Sequence, residues 1–235
     1  AILMMLLVGY RLPETRPANT VSTGPLYRWS RYKPVLSNTH FLFYAFACMS
    51  AMAAILSYVS YSPVWLIGHL GVSELAFSGL FGLNALVNIA ACFVAPVVIR
   101  KLGNRPTAIF ALALLVLSAI LIVTAQAFGP SVGMAAAFAF MLPMMLLCIG
   151  FAFLLGPATS MALSAFGERA GTATAMLGFI QMSGASVIAG LVQQTSLTAP
   201  YAVALVMGFF SIGLLSMMAL SRFDHWHQEQ LAAEH

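Results

Sequence analysis

Charged side chains are scarce in this chain. Asp, Glu, Lys and Arg make up 7% of its 235 residues, against about 25% in a soluble domain. Acidic residues are the scarcer sign, six in all, and Glu74 and Glu168 stand at the ends of apolar runs rather than inside them. No Lys, Arg or His lies deep within a run either; His40 and His69 are near the ends. A soluble globular domain is excluded, and the chain offers no intramembrane proton relay and no charged counter-ion for a substrate. Cysteine is equally sparse. Cys48, Cys92 and Cys148 all fall in apolar runs, without a CxxC or a Cys/His partner at ligand spacing. They read as small buried side chains rather than as a disulfide or metal site. His225 and His227 form an HxH in a polar tail, where solvation is the ordinary fate. A Walker loop, a nucleophile triad and a metal cluster are all missing, so neither catalysis nor a cofactor is expected. The net charge of +4 is no nucleic-acid signal, because basic residues in such a chain mark the cytoplasmic face of a membrane.

What the chain does have is apolar length. Hydrophobic residues reach 61%, in runs long enough for membrane-crossing helices rather than barrel strands. Six spans are expected, at about Thr39–Ser62, Leu75–Ile99, Pro106–Phe128, Met134–Leu163, Ala170–Gln194 and Ala199–Leu220. The first ends at Tyr61-Ser-Pro63, and the fourth holds Pro143 and Gly156-Pro157 inside it, with a break expected at Pro157. Ahead of them, residues 1–10 are apolar but too short to cross, which suggests the end of a truncated transmembrane helix. Residues 11–38 are polar and rich in Pro, with Tyr27, Trp29 and Tyr32 interleaved among basic residues. They form either a plain linker or a short amphipathic piece along the headgroups. Residues 221–235 are a polar tail.

With six spans, all ten Lys and Arg fall on one side: Arg11, Arg16, Arg28, Arg31, Lys33, Arg100, Lys101, Arg105, Arg169 and Arg222. The positive-inside rule then puts residues 11–38, the 100–105 turn, the 164–169 turn and the tail in the cytoplasm. A miscounted span would scatter these charges over both faces.

The fifth span is crowded with small residues. Gly167, Gly171 and Ala175 are four apart, as are Ala170, Thr174 and Gly178, a spacing that lets another helix approach closely in lipid. Gln181 sits near its centre, where an unpaired amide is costly. It either hydrogen-bonds a neighbouring helix or faces a ligand, and the two are compatible. Asn84 and Asn88 share a face of the second span, with Phe77, Phe81, Ala91 and Ala95 along the same stripe. Tyr44, Cys48, Ala51, Ile55 and Tyr58 form a stripe on the first span; Met141, Met145, Cys148 and Ala152 form one on the fourth. These stripes suggest a mostly apolar cavity with rings, thioethers and a few amides, suited to lipophilic ligands of varied shape. Plain helix packing is the other reading of the Met and Phe stripes. The third and sixth spans are almost purely apolar and can face lipid all round.

Several local features carry a resemblance. Arg11-Leu-Pro-Glu-Thr-Arg-Pro17 closes the first apolar stretch, Tyr58-Val-Ser-Tyr-Ser-Pro63 ends the first full span, and Phe81-Gly-Leu-Asn84 lies in the second. Gly171-Thr-Ala-Thr-Ala-Met-Leu-Gly-Phe-Ile-Gln-Met182 lies in the fifth. Together they resemble helices seven to twelve of bacterial major facilitator drug exporters of the Bcr/CflA type, a group close to EmrD and MdfA. The turn from Pro96 to Arg105 sits where that superfamily repeats a GxxxDRxGRR loop. Pro96 replaces its leading Gly and Arg100 its Asp, while Gly103 and Arg105 remain.

The resemblance implies an all-α membrane protein, a six-transmembrane-helix bundle forming the C-terminal half of a major facilitator fold over residues 39–220. It implies export of varied lipophilic or cationic drugs in exchange for protons across the bacterial inner membrane, by alternating access with an N-terminal six-helix half. Helices seven, eight, ten and eleven would line the cavity, with nine and twelve facing lipid. Tyr44, Asn84, Asn88, Met145 and Gln181 are then the expected cavity residues. A transporter for one small metabolite predicts more polar cavity residues, and a non-transporting membrane scaffold would need no amide-bearing inner helices.

Overall fold

A computed structural model describes residue 10 and residues 29–220. The stretches read as a truncated helix (1–10) and as the tail (221–235), together with most of the linker, lie outside the described residues, apart from residue 10 itself. The described chain is helical throughout. A short α1 (Trp29–Leu36) precedes six long helices: α2 (Thr39–Pro63), α3 (Glu74–Leu102), α4 (Asn104–Phe128), α5 (Gly133–Leu163), α6 (Ala170–Gln193) and α7 (Ala199–Ala219). Each of the six is long and apolar enough to cross a membrane. Six such helices are what the resemblance implies.

The helix ends follow local chemistry. Asn38 caps α2 by accepting the Phe41 N–H at 2.8 Å. Ser73 does the same for Ala76 on α3, with Glu74 in the first turn and Arg100 and Lys101 in the last, the order that suits the helix dipole. Gly103 joins α3 to α4 at φ +87°, a conformation glycine adopts without the Cβ clash. Beyond Pro63, α2 does not stop as expected. It continues as a π-helical turn, Val64–His69, with Trp65 stacked on His69 at 4.3 Å.

The prolines of α5 do not break it. The helix is continuous from Gly133 to Leu163, with Pro143 and Pro157 inside. A neighbour supports one of them: the Ser118 hydroxyl of α4 donates to the Pro143 carbonyl at 2.6 Å. Lipid-buried prolines survive in helices where such partners satisfy the backbone.

The centre of the bundle is α2 and α5. Of their most apolar stretches, 61% and 56% of the residues are buried, against 17% for α3 and 22% for α6. The expectation that the third and sixth spans face lipid all round fails here. α4 buries a stripe from Thr107 to Ile122, and α7 buries Val203, Met207, Ser211 and Leu214. Small residues permit that packing. A Cβ on Gly150 of α5 would press on Leu115 and the Ala111 carbonyl of α4, and one on Gly208 of α7 on Ala119 of α4.

The small-residue rows of α6 also lie elsewhere than expected. Gly167, Ala170, Gly171, Thr174, Ala175 and Gly178 face outward, and nothing lies within 4 Å of an added Cβ at Gly171 or Gly178. The buried stripe is Thr172, Ala173, Leu177, Gln181, Ala185 and Ala189. The close approach to α2 falls at Gly184, where a Cβ would collide with the Met49 thioether.

Candidate functional site

Three helices bring polar groups together in the middle of the bundle. The Asn84 amide of α3 donates through Nδ2 to the Tyr58 hydroxyl of α2 at 3.0 Å and to the Met141 carbonyl of α5 at 3.4 Å. The Tyr58 hydroxyl in turn donates to the Met141 thioether at 3.9 Å. Asn84 is 1% exposed, and its Oδ1 is buried without a hydrogen-bond partner. One turn along α3, Asn88 Nδ2 donates to the Cys148 carbonyl at 3.3 Å and its Oδ1 accepts from Cys92. Rings flank the seam on the other side. Tyr58 stacks on Phe81 at 5.6 Å, and Phe81 lies 5.6 Å from Phe77.

The seam carries hydrogen-bond donors, one open acceptor and π-faces, but no charge. Those groups can hold and orient a ligand. Leaving a buried amide oxygen unpaired costs about 1–3 kcal/mol, and a donor that reached Oδ1 would recover that cost. Among the described residues no cluster of His, Cys, Asp or Glu has metal-binding geometry.

The other expected cavity residues are distributed around this seam. Met145 is half-buried on α5, one turn from Met141. Gln181 is buried on α6, which packs chiefly on α2, whereas α3 packs chiefly on α5. Tyr44 is buried nearer the other end of α2, fourteen positions and about 21 Å along the helix from Tyr58. Its ring meets His40 at 4.9 Å and Phe43 at 5.0 Å. Sequence reasoning put Tyr58 and Met141 on the right stripes without naming them as site residues. The signal for Tyr58 was present: fourteen positions is close to four helical turns, so it repeats Tyr44's face.

The loops at one end of the bundle are cross-linked. Arg31 of α1 donates from Nε to the Thr172 hydroxyl at 3.1 Å, Asn104 reaches Ser160 at 3.5 Å, and Phe41 meets Phe166 edge-on at 5.7 Å. Arg31, Lys33, Arg100, Lys101, Arg105 and Arg169 all belong to this end.

Comparison with known proteins agrees with this architecture. The model of the Major Facilitator Superfamily matches residues 1–189. The multidrug resistance protein MdtL of Shewanella sp. (strain ANA-3) is 28% identical over 167 residues, covering 70% of this chain and 41% of the relative. MdtL of Shewanella oneidensis is 32% identical over 132 residues, 56% of this chain and 32% of the relative. MdtL of Klebsiella pneumoniae (strain 342) is 27% identical over 237 residues, 97% of this chain and 56% of the relative. The chain thus spans about half the length of the curated relatives it matches, or less. No solved structure matches it significantly.

Proposed function

The chain belongs to the major facilitator superfamily, and from that premise we propose that it is the C-terminal six-helix half of a drug exporter of the bacterial inner membrane. It is a transporter half of the Bcr/CflA type, working by proton antiport and alternating access against an N-terminal half. The relatives' description as multidrug resistance proteins supports the cargo. The unburied faces of α3 and α6 support the second half: both helices are apolar, and α6 turns its small residues outward, where another helix bundle can approach closely. The positive end of the bundle supports an orientation with residues 11–38 and the tail in the cytoplasm.

The observation that carries the reading is the open Asn84 Oδ1, fully buried between helices and beside the Tyr58 and Phe81 rings. A site with one acceptor, stacked rings and thioethers binds lipophilic molecules without demanding one shape. Tyr44, Asn84, Asn88, Met145 and Gln181 are the cavity residues of this proposal. Rings and thioethers supply contact area, and the amides orient polar groups or hold water. In this reading protons are handled by the other half; the carboxylates of residues 39–220 are Glu74, in the first turn of α3, and Glu168, between α5 and α6. Asn84→Leu in the intact protein shifts the resistance profile among exported compounds while expression stays normal. Unchanged resistance to every compound would remove Asn84 from the site.

A further inference from the structure

A wide groove lies away from the amide seam, between α2 and α7. It encloses about 1080 Å³, and its wall is apolar: Leu42, Phe43 and Phe46 on one side, Phe210, Leu214 and Met217 on the other. Thr39 contributes the wall's single hydroxyl, at the mouth, opposite Leu220. From Leu220 in to Phe209 is eleven residues, about 17 Å of helix, roughly half of a 30 Å hydrocarbon core. The groove is therefore one leaflet deep.

A second apolar groove, of about 580 Å³, adjoins it. Phe209 and Ile212 of α7 line both. The second lies on the other flank of α7, against Ile120 and Val123 of α4, and runs to Tyr201. A single straight helix cannot fill two grooves on opposite flanks of α7. Two lipid chains, one from each leaflet and meeting near mid-membrane, can.

The two mouths differ in charge. Among the described residues, the deep groove opens at the end that carries Arg31, Lys33, Arg100, Lys101, Arg105 and Arg169, with Glu168 the acidic one. The loops at the opposite end, 64–73, 129–132 and 194–198, contain no Lys or Arg.

We propose that the α2–α7 groove is a binding site for an anionic phospholipid, its acyl chains against the Phe43, Phe46 and Phe210 rings and its phosphate at the Thr39 end, where Arg105 reaches the Met218 carbonyl beside the groove residue Met217. The edge-on Phe46–Phe210 pair at 5.5 Å gives the chains a rigid floor, and the positive end of the bundle selects the headgroup. The site does not depend on which drugs are exported, or on export at all.

The test is native mass spectrometry of the intact protein in detergent, titrated with dioleoyl phosphatidylglycerol or dioleoyl phosphatidylcholine. One phosphatidylglycerol is retained at least tenfold more tightly than phosphatidylcholine. Gly213→Trp fills the groove from α7, where nothing lies within 4 Å of an added Cβ; Leu42→Trp fills it from α2. Each weakens retention at least tenfold, whereas Leu117→Trp, an exposed change on α4 outside both grooves, leaves it unchanged. Equal retention of the two lipids, or retention untouched by both groove variants, overturns the proposal. So does a dimer that Gly213→Trp dissociates, since a second copy would then be the occupant.

Discussion

The Arg105 guanidinium donates through Nη2 to the Met218 carbonyl at 3.3 Å. Arg105 stands in the first turn of α4, where a cation opposes its own helix dipole. Its hydrogen bond instead serves the C-terminal turn of α7, which ends at Ala219 and otherwise leaves carbonyls unpaired. One residue thereby ties the turn between α3 and α4 to the last span.

Arg105→Gln removes the charge from that tie. The expected loss is about 1.5–3 kcal/mol, the range for a hydrogen bond to a charged group, read as a lower thermal unfolding midpoint in detergent. Arg105→Lys keeps the charge but loses the planar fork, and falls between the two. An unchanged midpoint for Arg105→Gln would show that the α7 carbonyls find other partners.

Tyr58 and Asn84 act as a pair across α2 and α3. Tyr58→Phe keeps the ring stacked on Phe81 but removes the hydroxyl, at an expected cost of about 1 kcal/mol. Combined with Asn84→Leu in a double-mutant cycle, it gives a coupling energy of about 0.5–3 kcal/mol in unfolding. Strict additivity of the two changes would mean that the 3.0 Å contact contributes nothing to stability.

Gly184 tests the approach of α6 to α2. A Cβ there meets Sδ and Cγ of the Met49 side chain, not backbone, and Met re-packs readily. Gly184→Ala is therefore tolerated within about 1 kcal/mol, whereas Gly184→Leu overpacks the contact and costs about 1–3 kcal/mol. Met49→Ala restores most of the loss in the Leu background. Measured stability of the double variant no better than Gly184→Leu alone would place the strain elsewhere.

Much of the frame was legible before any coordinates. The six expected spans agree with the observed helices to within three residues at all but one end. The exception is the π-helical turn after Pro63, which local hydropathy does not distinguish from a loop. The Asn84/Asn88 spacing identified the face of α3 that meets α5. Three expectations failed for related reasons. Pro157 reads as a break, yet α5 runs through it unbroken to Leu163, with Pro157 buried against neighbouring helices. Gly171 and Gly178 read as contact residues, yet the contact falls at Gly184, one of several small residues on the same helix. The uniform apolar surface of α4 and α7 reads as lipid-facing, although Leu112, Leu115 and Met207 are buried in the bundle.

By itself, the order of residues determined how many of the described helices are long and apolar enough to cross a bilayer, where each begins and which end of the bundle carries the basic residues. Those properties follow from length, hydropathy and the cost of taking a charge or an unpaired backbone group into hydrocarbon, all of which act along the chain. Only the tertiary structure decided which face of each helix meets which neighbour. In lipid a helix gains no hydrophobic advantage by turning Leu inward, so apolar faces look alike until shape and hydrogen bonds choose between them. For that reason Tyr58 joins Asn84 at the centre of the bundle, while Tyr44, on the same stripe of α2, belongs to a different cluster about 21 Å away along the helix.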